Sequence, residues 1–190
     1  MEAIVFIGVQ GAGKSSYYRE HFFHSHVRIS LDLLHSRHRE RLFLEACLKT
    51  QQRFVVDNTN SKRHERATYI AAAHAARYEV VGYYFEVDLE TALARNSSRP
   101  ASQVVPAKGV AGTFRNLEPP KLDEGFRRLY SLRLNESGQW FVASVEEAPG
   151  PPLPTFPTAS PPSDQSATSR PSDSTSPAHQ AAESTPALPE

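Results

Sequence analysis

Short apolar runs alternate with longer stretches of helical periodicity over the first 147 residues. The runs are rich in β-branched and aromatic residues and end at turn residues, which is typical of strands. The stretches between them carry apolar residues at helical spacing. We predict strands over 3–7, 27–30, 53–56 and 79–87, helices over 14–22, 35–50, 89–97 and 106–115, and a hairpin of 126–134 with 140–145. This alternation predicts an α/β fold with a mostly parallel central sheet flanked by helices.

One further helix is expected after the third strand. Ser61 is a suitable cap for its first turn. Ala67, Ile70, Ala71 and His74 follow at helical spacing, which predicts that they form its buried face.

The composition changes sharply near residue 148. The segment from Pro149 to Glu190 holds 11 of the 15 prolines and only one aromatic residue, Phe156. Such a segment cannot bury enough apolar surface to offset the chain entropy lost on folding. We therefore predict one folded domain over 1–147 and a disordered tail, rich in Pro, Ser, Thr and Ala, over 148–190.

Charge and cysteine content set broad limits on function. The first 148 residues have 20 basic and 17 acidic side chains, a mild excess of +3 that permits a polyanionic substrate without arguing for one. Cys47 is the sole cysteine, which excludes an intramolecular disulfide and suits a reducing compartment. We expect Cys47 to lie in the core. No apolar run approaches about 18 residues, so we expect a cytoplasmic protein without a membrane partner.

The most specific chemical signal follows the first predicted strand. The string GVQGAGKSS fits the phosphate-loop pattern GxxxxGK[ST], in which backbone N–H groups and a helix N-terminus hold nucleotide phosphates. Lys14 can reach the β- and γ-phosphates, and the Ser15 hydroxyl can ligate Mg²⁺. The expected ATP-binding residues here are Gly8, Val9, Gln10, Gly11, Ala12, Gly13, Lys14, Ser15 and Ser16.

Two aspartates follow the second and third predicted strands. Because ligands gather beyond the carboxyl ends of parallel strands, Asp32 and Asp57 should converge on the nucleotide. Asp32 could act as the general base that takes a proton from an acceptor hydroxyl, or it could be a helix cap. Asp57 could hold Mg²⁺ or its bound water, or it could form an Asx turn.

Two arginines stand near the end of the predicted helix 89–97. Arg95 and Arg99 are four residues apart and lie on one side if the helix continues that far. Guanidinium groups suit bidentate contact with phosphates and could neutralise charge during transfer. The alternative is a favourable interaction with the helix dipole.

The chain resembles the kinase domain of polynucleotide 5′-hydroxyl kinases from Ile4 to about Leu134. The resemblance rests on GVQGAGKSS, the ISLD stretch ending at Asp32, VVDNTN around Asp57, ARNSSR followed by VVP, and EPPKLDEGF at Glu118 to Phe126. The phosphate loop is shared by a vast superfamily, whereas VVDNTN with the later segments is much more specific.

The resemblance implies a P-loop kinase that uses ATP and Mg²⁺. It implies that Lys14 and Ser15 bind the phosphates and Mg²⁺, that Asp32 is the base, and that Arg99, with Arg95, contacts the donor from a lid. Asp57 and Asn58 match the family's DNTN, which lies beside the phosphates and the acceptor. His35 stands where the phage enzyme has an arginine that contacts the acceptor phosphate, so His35 is the expected acceptor contact here.

The resemblance also implies an acceptor, the 5′-hydroxyl of a nucleic acid end, as in nucleic acid repair. Phosphatase motifs of the DxDGT type and a forkhead-associated module are absent from the sequence. A separate phosphatase or ligase would then be the expected partner. Two alternatives remain open at this point: a small-molecule or zeta-toxin-like P-loop kinase, and a nucleotide-binding switch or adaptor with weak ATPase activity.

Overall fold

A computed structural model describes residues 1–135 and 137–147. The predicted tail over 148–190 lies outside the described residues, so its disorder stays a prediction. The strands are β1 (Glu2–Ile7), β2 (Val27–Ile29), β3 (Phe54–Val56), β4 (Glu79–Glu86), β5 (Arg128–Leu134) and β6 (Trp140–Glu147). The helices are α1 (Lys14–His21), α2 (Leu31–Leu34), α3 (Arg37–Lys49), α4 (Arg63–Ala75), α5 (Leu89–Ser97) and α6 (Ala107–Asn116), with short 3₁₀ turns at Ala101–Gln103 and Leu122–Glu124.

The six strands form one sheet in the order β2-β3-β1-β4-β5-β6. All neighbours pair in parallel except β5 and β6, which form the antiparallel hairpin that the sequence predicts. The predicted α/β fold with a mostly parallel sheet is therefore confirmed. β1 lies in the middle of the sheet, and five of its six residues are buried.

Helices cover both faces of the sheet. One apolar cluster packs side chains of α3 and α4 against the strands, and it includes Cys47, which is buried and unpaired as expected. The second cluster packs α1, α5 and α6 on the other face. Because both faces are covered, the central strands β1, from Ala3 onward, and β3 are continuous apolar runs rather than alternating ones. Among the described residues, no helix is long and apolar enough to cross a membrane.

The predicted helix over 35–50 is confirmed as α3, and a separate single turn, α2, which the sequence did not predict, precedes it. His35 has a φ of 60° and ends the single turn α2. Ser36 then caps α3 by accepting a hydrogen bond from the Arg39 N–H at 3.2 Å. The carboxyl end of β2 is thus followed by a separate short turn that carries Asp32.

The predicted start of α4 is wrong by one residue. The N-cap is Lys62, whose N–H donates to Glu65 Oε2 at 3.0 Å, whereas Ser61 precedes the N-cap and its hydroxyl donates to the same carboxylate oxygen at 3.4 Å.

The predicted buried face of α4 is also mostly wrong. Ala67, Ala71 and His74 are exposed, and the buried residues are Arg66, Tyr69, Ile70 and Ala73. Helical spacing alone assigned small apolar residues to the core and a charged residue to the surface.

Arg66 is fully buried because it finds partners on another segment. Its guanidinium pairs with both oxygens of Glu124, at 2.6 and 2.7 Å, and also donates to the carbonyls of Asn60 and Glu118 at 3.0 Å. A buried charge is tolerated only when it is paired and hydrogen-bonded in this way. The contacts fix the segment Glu118–Glu124 against the start of α4.

Candidate functional site

The carboxyl ends of β1, β2 and β3 meet at one edge of the sheet. The phosphate loop connects β1 to α1, and its residues Gly8 to Gly13 lie at this edge, with Ser16 in the first turn of α1. Gly13 has a φ of 95°, and a Cβ there would lie 2.7 Å from Cη2 of Trp140. Gly11 likewise lies against the backbone of Ala92 in α5. The loop therefore needs glycine for close packing as well as for its backbone conformation.

Lys14 lies folded over this loop. Its ammonium group donates to the carbonyls of Gly8 at 2.7 Å and Val9 at 2.8 Å, and the residue is only 9% exposed. The Lys14 pKa is lowered to about 8, mainly by burial and in part by the nearby positive charge of Arg99, while the carboxylates of Asp57 and Asp32 act in the opposite direction. Four residues assigned to the site from sequence thus lie close enough to interact electrostatically.

Asp57 and Ser15 form a hydrogen-bonded pair beside the loop. The Ser15 hydroxyl donates to Asp57 Oδ2 at 2.9 Å, and Asp57 is 5% exposed. The Asx-turn alternative therefore does not describe the Asp57 side chain, which bonds across 42 residues of sequence instead.

Arg28 lies between these two residues, and sequence reasoning missed it. Its Nε and Nη2 donate to Asp57 Oδ2 at 2.8 and 2.5 Å, and Nη2 also donates to the Ser15 hydroxyl at 2.8 Å. The available signal was a charged residue inside the short apolar run Val27-Arg28-Ile29, because such a residue needs a partner. Arg28 thus places a positive charge against both oxygens that the sequence assigns to a metal.

Asp32 lies exposed in the first turn of α2. The N-cap of that turn is Ser30, and the Asp32 carboxylate makes no hydrogen bond within the described part of the chain, so Asp32 is not a helix cap. His35 is exposed at the end of the same turn. The Asp32 carboxylate is therefore open to an incoming group.

The amide of Asn58 bonds within the protein. Its Oδ1 accepts from the Leu31 N–H, and its Nδ2 donates to Glu40 and Tyr69. The sequence assigned Asn58 to the substrate, whereas these bonds tie the end of β3 to α2, α3 and α4. Sequence reasoning missed Glu40 and Tyr69, since polar residues on a predicted helix are usually on the surface.

The two arginines of the candidate lid differ in placement. Arg95 is in the last turn of α5, where the helix-dipole interpretation still applies. Arg99 follows the C-cap Ser98, and its charge acts on Lys14. Within the described residues, neither guanidinium has a hydrogen bond or an ion pair, so both can contact a ligand.

A cavity of about 150 Å³ lies beside the phosphate loop. The residues that line it are Val9, Tyr84, Phe85, Val87, Phe114, Leu117 and Pro119. No group of three or more His, Cys, Asp or Glu side chains suited to a metal occurs among the described residues.

Solved structures of low sequence identity share this fold. The structure is similar to a gluconokinase from Sinorhizobium meliloti 1021, with 20% identity and a TM-score of 0.51 over 70% of this chain and 82% of that one. It is similar to Kti12 of Chaetomium thermophilum in complex with ADP-AlF3, with 18% identity and a TM-score of 0.56 over 72% and 92%. It is also similar to a chain of the AvrRxo1-ORF1:-ORF2 complex with ATP, with 16% identity and a TM-score of 0.58 over 76% and 58%.

The sequence itself matches one family. The AAA domain family matches residues 4–120, which is more than half of the chain. The matched residues include the phosphate loop and the two aspartates, Asp32 and Asp57. They also include Arg95 in α5 and Arg99 just after it. Together with the phosphate-loop geometry, it shows that the chain belongs to the AAA domain family of the P-loop NTPase superfamily.

Proposed function

We propose that this protein is a kinase that transfers the γ-phosphoryl group of ATP to a hydroxyl, with Asp32 as the general base. The observation that carries the proposal is the convergence of Lys14, Asp57, Asp32 and Arg99, in which the last three charges all act on the Lys14 ammonium. A nucleotide switch needs the phosphate loop but has no use for an acceptor base. The Asp32 carboxylate is exposed beside the loop and makes no hydrogen bond within the described residues, which favours a kinase over a switch.

Lys14 and Arg99 can bind the triphosphate of the donor, ATP. Lys14 can exchange its bonds to two loop carbonyls for bonds to phosphate oxygens, and a triphosphate would offset the cost of its burial. Arg99 has no partner within the described residues and can contact the transferring group. Phosphoryl transfer depends mainly on such positioning and charge stabilisation.

Magnesium fits the pair of oxygens at Ser15 and Asp57. A hydroxyl and a buried carboxylate are hard oxygen donors of the kind Mg²⁺ prefers, and the Arg28 guanidinium shows that a cation is accommodated against them. When bound there, Mg²⁺ would neutralise phosphate charge.

Arg28→Ala should lower the Mg²⁺ requirement for nucleotide binding. Arg28 and Mg²⁺ need the same oxygens, so removing the guanidinium leaves the buried Asp57 carboxylate without its counter-charge and favours the metal. We expect the Mg²⁺ concentration that gives half of the maximal effect on ATP affinity to fall by roughly three- to tenfold, the range of about 0.7–1.4 kcal/mol. Fluorescence of Trp140, the sole tryptophan, is a direct probe because this side chain packs against Gly13.

Arg128→Ala is the matched control for that measurement. Arg128 is similarly half-buried, at 21% side-chain exposure against 24% for Arg28, and it pairs with Glu2 near the opposite ends of the strands. The control should leave the Mg²⁺ dependence unchanged. Equal Mg²⁺ requirements in wild type and Arg28→Ala would show that Arg28 does not compete with the metal.

The acceptor proposed is the 5′-hydroxyl of a nucleic acid end. The support is the resemblance carried by VVDNTN, ARNSSR and EPPKLDEGF, together with the exposed α2 turn that presents Asp32 and His35. A small-molecule kinase is the second candidate, because His35 stands where the resembling family has its phosphate-binding arginine. The name of one structural neighbour, a gluconokinase, makes a sugar a reasonable probe.

A panel of acceptors distinguishes these two candidates. The protein would be incubated with γ-labelled ATP and 5′-hydroxyl DNA, 5′-hydroxyl RNA, nucleosides and small sugars. Label on an oligonucleotide supports the nucleic acid acceptor. Label confined to a nucleoside or sugar would contradict it and favour the small-molecule kinase.

A further inference from the structure

The short helix that carries Asp32 needs contacts with the rest of the protein to be stable. α2 has four residues, a single turn, and helices that short are not stable in isolation. The Asp32 side chain is exposed and has no hydrogen bond within the described residues. The direction in which Asp32 is presented is therefore set by contacts that the rest of α2 makes, which include the packing of Leu34 against the apolar core and a hydrogen bond from the α2 backbone.

Asn58 makes such a contact. Its Oδ1 accepts a hydrogen bond from the N–H of Leu31 at 2.8 Å, and Leu31 is both the first residue of α2 and the neighbour of Asp32. The first N–H groups of a helix have no partner within the helix, and the Ser30 side chain does not cap this one. Asn58 thus acts as a cap supplied from the end of β3.

The orientation of the Asn58 amide is fixed by a buried carboxylate. Asn58 Nδ2 donates to Glu40 Oε1 at 2.5 Å and to the Tyr69 hydroxyl oxygen at 3.2 Å. An ionised carboxylate only accepts hydrogen bonds, so it selects the NH₂ end of the amide. The oxygen end is then left to face the Leu31 N–H.

Glu40 is itself held from two sides. It is 4% exposed, its Oε1 accepts from the Tyr69 hydroxyl at 2.9 Å, and its Oε2 accepts from Arg37 Nη1 at 2.8 Å. Burial raises the pKa of Tyr69 to about 12, so its hydroxyl keeps the proton that it donates. Asn58, Glu40 and Tyr69 form a bonded triad, which we call the α2 anchor.

We propose that the α2 anchor positions Asp32 for proton transfer, with Asn58 in direct contact and Glu40 and Tyr69 acting through it. This inference rests on the proposed function, in which Asp32 is the base. Small displacements of a reacting group are costly, because a shift of about 1 Å can cost roughly 100-fold in rate. The three residues are positioning residues, since the bonds described here join them to the protein and not to a reacting atom.

Tyr69→Phe tests the anchor, and Tyr78→Phe is its matched control. Tyr78 lies in the same apolar cluster, and its buried hydroxyl donates to the carbonyls of Cys47 and Gln52 at 3.0 Å each. Both variants lose one buried hydroxyl, but only the first loses a bond to Glu40 and Asn58. A loss of stability alone would therefore appear in both.

The first measurement is hydrogen exchange of the backbone amides over 31–35. We expect exchange there to become at least several-fold faster in Tyr69→Phe and Asn58→Ala and to stay unchanged in Tyr78→Phe. This result does not depend on knowing the acceptor. Unchanged exchange in Asn58→Ala would overturn the proposal.

The second measurement is a cycle of single and double variants of Asn58 and Asp32. Asn58→Ala should lower kcat for transfer roughly 10- to 100-fold with little change in the KM for ATP, and should add little in an Asp32→Asn background. Fully additive effects would show that Asn58 acts elsewhere and would overturn the anchor. If Asp32→Asn alone left transfer at the wild-type rate, the proposed base would be wrong instead, while the exchange measurement would still decide whether the anchor holds α2.

Discussion

Replacing Lys14 with alanine should abolish phosphoryl transfer and weaken ATP binding strongly. The ammonium group is the buried positive charge at the end of the phosphate loop, and the arginine of α1, Arg19, lies in the last turn of that helix. We expect ATP affinity to fall by at least tenfold and transfer to drop below detection, since charge stabilisation in such sites is worth several kcal/mol. Calorimetric titration with ATP and a transfer assay would measure the two effects.

The fold should survive this change. Removing Lys14 also removes the cost of burying its charge, so the melting temperature should move by no more than a few degrees. Lys49→Ala is the control, because Lys49 is exposed at the end of α3. Equal ATP affinity in wild type and Lys14→Ala would contradict the phosphate-loop assignment.

Asp32→Asn should slow transfer to the acceptor by roughly 100-fold or more while leaving ATP affinity nearly unchanged. The substitution keeps the shape of the side chain and removes its basicity, and a general base contributes about 10²–10⁴ in rate. ATP affinity should persist because Asp32 makes no bond on the donor side of the site. Parallel measurements of transfer rate and ATP affinity separate the two effects.

Two further variants serve as a control and a contrast for the Asp32→Asn measurement. Asp123→Asn changes another exposed aspartate, which pairs with Arg63 at 3.2 Å, and should leave transfer unchanged. Arg99→Ala should slow transfer although Asp32 is intact, because the arginine is proposed to contact the transferring group. If Asp32→Asn mainly weakened ATP binding, Asp32 would belong to the metal site rather than to the acceptor.

The sheet and the phosphate loop were predictable from the sequence for physical reasons. Parallel strands covered on both faces are short, continuous apolar runs, as at Ala3–Ile7 and 53–56. Turn residues clearly mark the ends of these runs. The start of α5 was equally clear, since Asp88 accepts the N–H of Thr91 at 2.8 Å as a cap should. These features depend on residues that are close in sequence.

The remaining features depend on partners far apart in sequence. Arg66 is buried against Glu124, 58 residues later, and the Glu40 carboxylate meets the Tyr69 hydroxyl 29 residues later. Periodicity treats such polar residues as surface, which is why the predicted face of α4 was wrong. The turn α2 was missed for a related reason, because the Asn58 side chain caps it across the sheet edge.

In the candidate site, too, some residues were predictable from nearby sequence and others depend on partners far apart in the chain. The phosphate loop, Asp57 and Asp32 could be read from motifs that follow strands. Arg28 could not be placed from its sequence neighbours, because its bonds to Asp57 and Ser15 form only when β2 and β3 pair. Sequence motifs therefore indicated the candidate reacting groups, and the fold added the neighbouring residues that depend on long-range contacts.

The most direct test of the central claim follows the γ-phosphate of labelled ATP in the presence of a 5′-hydroxyl oligonucleotide, a nucleoside and a small sugar together. Wild-type protein should place label on a hydroxyl, and Asp32→Asn should lose that product while still binding ATP. Label found only in inorganic phosphate, at equal rates in both proteins, would contradict a hydroxyl kinase with Asp32 as its base.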